Sequence, residues 1–160
     1  MNKKVIIILA AVVGVLVLTC VGGIVAFGVW ANQPPPEGIT VQVELPDAIY
    51  EGDTFDFVVT VRNDQAVERT LYDIDFWPPL ADGITLGTIS PQPQTVDEII
   101  MLTCTFNTTI PAQGEIAITF SATADSPGVF EGSLDVSVDH MMAVLSTPQT
   151  ITIYNAADKP

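Results

Sequence analysis

Basic side chains are scarce in this sequence: five Lys and Arg stand against nineteen Asp and Glu, with one histidine. Two of the five, Lys3 and Lys4, sit at the extreme N-terminus, so only Arg62, Arg69 and Lys159 oppose the carboxylates that follow. Such a balance disfavours nucleic acid and anionic lipid headgroups as ligands, since both require positive counter-charge. Cysteine is nearly as rare, with Cys20 in an apolar run and Cys104 in the patterned remainder. No internal disulfide is therefore expected, and the folded part must hold itself by its core. One histidine and one cysteine beyond that run do not supply the several ligands of a zinc site. Helical periodicity is also missing after residue 38, as are internal repeats.

What the sequence has instead begins with a long apolar run. No charged residue occurs from Val5 until Glu37. As a helix rising about 1.5 Å per residue, the 26 residues from Val5 to Trp30 would measure about 39 Å. A hydrocarbon core is about 30 Å thick, and a secretory apolar region usually has only about 7–15 residues. The run thus reads as a retained signal-anchor helix. A cleaved signal peptide is the alternative, with Val29-Trp30-Ala31 offering a cleavage site after Ala31. A lipoprotein reading of Leu18-Thr19-Cys20 fits less well, because Thr19 is large for that position and the run continues past Cys20. Lys3 and Lys4 put the N-terminus in the cytoplasm, and Trp30 falls where an interfacial aromatic belongs. Small residues recur at four-residue spacing, Ala10 with Gly14, Thr19 with Gly23 and Gly22 with Ala26, which allows close helix packing.

Residues 1–31 are accordingly expected to form a cytoplasmic tip and a transmembrane helix. "NQPPPEG", residues 32–38, reads as a semi-rigid polyproline riser. Residues 39–154 alternate with period two between turn residues, and 155–160 read as a disordered tail. In "ITVQVEL" the apolar set is Ile39, Val41, Val43 and Leu45; in "TFDFVVTVRN" it is Phe55, Phe57, Val59 and Val61. "TLYDIDF" points Tyr72, Ile74 and Phe76 inward, and "GITLGTI" is a short strand. "EIIMLTCTFN" aligns Ile100, Leu102, Cys104 and Phe106. "IAITFSATA", "VFEGSLDVSVD" and "TPQTITIY" complete about eight strands, the spacing of a β-sandwich with one wet face on each sheet.

Three stretches, "EGDTFDFVVTVRN", "IPAQGEIAITFSA" and "SPGVFEGSLDVSVD", resemble the immunoglobulin-like domains of bacterial and archaeal surface proteins, the CARDB-like group and its relatives. The resemblance covers most of residues 38–154. It implies an all-β, immunoglobulin-like antiparallel β-sandwich of about 7–8 strands behind the transmembrane helix, and its shared motifs mark sandwich turns rather than chemistry.

Candidate sites are few. A hydrolase would have to use His140, with Asp139 as neighbour, but adjacent strand residues face opposite ways. Cys104 alternates onto the core face and reads as a small buried hydrophobe. Asp73 and Asp75 share an outward face, and Glu51, Asp53 and Asp56 cluster at a turn. Calcium requires six to eight converging oxygens, so solvated carboxylates are the expectation, with no metal and no cofactor. In "DFWPPLADGI" two prolines stiffen Trp77 and Leu80; buried, the pair plugs an end of the sandwich, and exposed, it is an interaction site. Asn107-Thr108-Thr109 matches a glycosylation acceptor.

These observations lead to the expectation of a non-enzymatic, single-pass membrane protein with its domain outside the cell membrane. Its partners would be the lipid bilayer and other membrane or surface proteins, with no nucleic acid. It would serve as an accessory or structural subunit of a membrane complex, or alternatively as a cell-surface adhesion or ligand-binding module.

Overall fold

Period-two alternation does build strands here, ten of them among the described residues of a computed structural model, which are 35–160 apart from 142. In chain order they are β1 (Ile39–Glu44), β2 (Ile49–Tyr50), β3 (Thr54–Asn63), β4 (Arg69–Phe76) and β5 (Ile84–Ser90). There follow β6 (Thr95–Glu98), β7 (Leu102–Ile110), β8 (Gly114–Ala124), β9 (Gly128–Val138) and β10 (Val144–Tyr154). Residues 35–160 form one unit. The anticipated membrane helix, with Ala10, Gly14, Gly22 and Ala26, lies outside the described residues. Among those described, no helix is long and apolar enough to cross a membrane.

The strands form a four-stranded sheet ordered β1-β3-β8-β5 and a six-stranded sheet ordered β2-β10-β9-β4-β7-β6. Every pairing is antiparallel except that of β2 with the end of β10. Apolar residues from both inner faces make one core. At its centre Phe57 and Phe120, register partners on β3 and β8, stack with centroids 5.0 Å apart. Phe76 crosses from the other sheet and meets Phe120 edge-on at 5.3 Å. Rings so arranged add about 0.5–1.5 kcal/mol per pair beyond the area they bury, and they lock the two sheets face to face.

Asn63, at the end of β3, is fully buried and fully used. Its Nδ2 donates to the carbonyls of Val67 at 2.8 Å and Pro111 at 3.0 Å, while its Oδ1 accepts from the Gln65 amide. One side chain thus ties the β3–β4 turn to the β7–β8 turn.

Several sequence expectations change. The short strands β2 and β6 join the eight anticipated. Tyr72 is not a core residue: a bulge between Leu71 and Asp73 shifts the phase of β4, so Leu71 is buried in its place. Ile100 precedes β7 rather than belonging to it and is 73% exposed. Residues 155–160, read as a tail, carry a 3-10 turn at Ala156–Asp158, and Lys159 Nζ reaches Asp53 Oδ1 at 2.6 Å.

Candidate functional site

The pairing register brings acidic residues together that lie far apart in sequence. On the outward face of the six-stranded sheet, one row across the strands reads Asp97, Thr103, Asp75, Asp135 and Ser146. The adjacent row reads Thr95, Thr105, Asp73, Ser137 and Val144. Asp75 and Asp135 are direct cross-strand neighbours, an arrangement that destabilises an antiparallel pair when both carry charge.

Burial sharpens the conflict. Asp73 is 6% exposed and Ser137 1% exposed, although both point away from the core. Asp73 Oδ1, Asp75 Oδ1, Asp135 Oδ1 and Ser137 Oγ are buried without a hydrogen-bond partner among the described residues. Loss of solvent pushes the Asp73 carboxyl up to about 6, opposed by the nearby Ser137 hydroxyl and reinforced by the charge of Asp75. Asp75 is raised as well, again first by burial, with Thr103 opposing and the charge of Asp135 adding.

Arg62, Arg69 and Lys159 are committed elsewhere. Arg62 Nε donates to Asp64 at 2.8 Å, Arg69 Nε to Asp139 at 2.7 Å, and Lys159 Nζ to Asp53. Among the described residues no three Cys, His, Asp or Glu side chains are grouped as a metal cage would require.

The Trp77-Leu80 loop divides its two anchors. Leu80 is 1% exposed and plugs the core, whereas Trp77 is 39% exposed. Trp77 continues the alternation one residue past β4, and its amide still donates to the Ser133 carbonyl of β9 at 3.0 Å. Gly132 makes room for this loop, since a Cβ there would lie 2.6 Å from the Trp77 carbonyl oxygen.

A second exposed feature lies where the edge strands β5 and β6 of the two sheets meet. An open groove of about 650 Å³ runs between Leu86 on β5 and the segment from Val96 to Met101. Beside it Ile99 is 90% exposed and Val96 is also largely exposed. This edge was missed in the sequence because Ile100 fits the alternation of the following strand.

The remaining candidates have structural surroundings. Cys104 is buried and free, and burial pushes its thiol up to about 12, far from reactive thiolate chemistry. Asp139, in the left-handed region at φ 66°, accepts from Arg69 Nε and from the Thr70 amide at 3.0 Å, which ties the β9–β10 turn to the start of β4. His140 lies on the same turn, its carbonyl accepting from the Ala143 amide. Asp53 is taken up by Lys159. Asn107 is exposed, and its Nδ2 donates to Gln94 Oε1 at 3.1 Å.

Two sheets facing each other over one core make the described chain an all-β sandwich. Among solved structures it is similar to the cupredoxin domain of amoB from Nitrosocaldus yellowstonii, at 10% identity and a TM-score of 0.46, covering 80% of this chain and 95% of that one. It is also similar to an ASH/PapD-like domain of human CEP192, at 11% identity and a TM-score of 0.45, covering 78% and 89%. A cohesin module from a Clostridium perfringens family 33 glycoside hydrolase gives 12% identity and a TM-score of 0.41, covering 74% and 96%. No protein-family model and no curated protein matches the sequence.

Proposed function

We propose that the protein is a non-enzymatic, membrane-anchored domain held outside the cell membrane, acting as an accessory or structural subunit of a membrane protein complex. The observation that carries this reading is the apolar edge at Val96, Ile99 and Ile100. Covering a fully exposed isoleucine is worth about 1.5–3 kcal/mol, and Ile99 and Ile100 beside the groove would supply that contact to a partner. The sequence supports the anchored part of the reading through the uncharged run that begins at Val5, the preceding Lys3 and Lys4, and Trp30. A semi-rigid riser over residues 32–38, as the sequence suggests, would keep the domain close to the bilayer and favour a partner that is itself membrane-embedded.

The test is purification of the full chain, tagged at its C-terminus, in mild detergent. A membrane protein at fixed ratio is expected, released by Ile99→Asp with Ile100→Asp while far-UV circular dichroism stays unchanged. Retention of the partner by that double variant would overturn the role of the edge.

A second reading, a surface adhesion or ligand-binding module related to CARDB-like domains, is favoured by Trp77, an exposed aromatic followed by two prolines. It expects Trp77→Ala to abolish binding to a surface ligand while leaving membrane co-purification intact.

A further inference from the structure

We propose that the outward face of the six-stranded sheet docks a basic polypeptide segment, with an arginine or lysine of the partner seated between Asp75 and Asp135. The inference deepens the proposed role as a partner-binding subunit by naming the chemistry of the partner.

Charge complementarity carries it. Asp75 and Asp135 face each other directly across the β4–β9 ladder, and like charges so placed repel. Both remain part-exposed, so a cation approaching the face can reach them. The neighbouring Asp73 and Ser137 are more than nine-tenths buried, and neither Asp73 Oδ1 nor Ser137 Oγ makes a well-formed hydrogen bond, although the Ser137 hydroxyl lies near Asp73 and favours its charged form. A buried carboxylate without a counter-charge costs stability, and Arg62, Arg69 and Lys159 each already serve another carboxylate. A cation supplied by a partner would relieve the repulsion between Asp75 and Asp135.

The surroundings fit a side-chain cation rather than a bare metal ion. A metal requires several oxygens gathered in one cage, whereas these carboxylates are spread along two cross-strand rows. Thr103, Thr105 and Ser146 border them, supplying hydroxyls for a flat, extended segment. At the end of the same face Trp77 offers an aromatic surface for an aliphatic stem or a second cation. A guanidinium can bond two carboxylates at once in planar geometry.

The probe is a fluorescent, glycine-spaced arginine peptide titrated against the full-length protein in detergent micelles, beside the same peptide carrying neutral citrulline. Anisotropy is expected to show binding of the arginine peptide only. Asp75→Asn with Asp135→Asn should weaken that binding on the order of tenfold or more. Asp47→Asn with Glu51→Gln, an equal charge change at exposed positions outside the two rows, should leave it unchanged. Both double variants should keep their far-UV circular dichroism.

Equal weakening by the two variants would mean attraction to the overall acidic surface and would overturn the site. So would binding that survives in Asp75→Asn with Asp135→Asn, or equal binding of the citrulline peptide. Calcium titrated alone that binds the wild type and not the Asp75/Asp135 variant, with the arginine peptide inactive, would replace the proposal with a metal site. A partner that co-purifies while the arginine peptide fails leaves the subunit reading standing and sinks this one; a lone species in detergent with the peptide bound does the reverse.

Discussion

Asp75 on β4 and Asp135 on β9 are direct cross-strand neighbours, and each carries one buried carboxylate oxygen without a hydrogen-bond partner. This like-charge pair should tax the isolated protein. Asp135→Asn is expected to stabilise it by roughly 0.5–1 kcal/mol at neutral pH, read as a higher midpoint in urea unfolding of the detergent-solubilised chain. A lower midpoint would mean that the pair is already compensated within the protein.

Acidification should at first stabilise the fold. Burial holds the Asp73 carboxyl at about 6 in the folded state, above its ordinary 3.8. Between those values the folded state binds the proton more readily than the unfolded state, so stability rises as pH falls through about 6 and the gain is complete below the unfolded value. Thermal unfolding from pH 7 down to pH 5 is expected to move upward by a few degrees. Asp73→Asn should raise the pH 7 value and flatten that slope. An unchanged slope in this variant would assign the effect to another group.

Asn63 acts as a three-way tie between turns. Asn63→Ala removes both donors and the acceptor that serve Val67, Pro111 and Gln65. A loss of roughly 2–4 kcal/mol is expected in chemical denaturation. A cost below that of an ordinary surface substitution would show that water replaces the tie.

The stacked Phe57–Phe120 pair and the crossing Phe76 make the most densely aromatic part of the core. Phe120→Ala should cost about 3–5 kcal/mol, and Phe120→Leu distinctly less, since it keeps most of the volume. Equal effects would indicate that the site collapses around the smaller side chain.

Much of this architecture was legible in the residues. Phe55, Phe57, Val59 and Val61 alternate cleanly because β3 runs for ten residues with one buried face. β2 and β6, two and four residues long, are too short to show a period, and pairing with β10 and β7 defines them. The bulge in β4 swapped Leu71 for Tyr72, and only the two neighbouring strands reveal it. Ile99 and Ile100 looked like the opening of a strand, yet they lie on the exposed edge beside the groove. Asp73 and Asp75 were visible as an outward pair. Their conjunction with Asp135 and Ser137 depends on β9 lying beside β4, a tertiary fact that local periodicity cannot encode.

Most decisive is the native mass of the full-length protein purified in mild detergent. This chain is expected in fixed ratio with at least one other membrane protein, the complex dissolving when Ile99 and Ile100 are both changed to Asp. A single chain running alone under those gentle conditions would contradict the subunit reading.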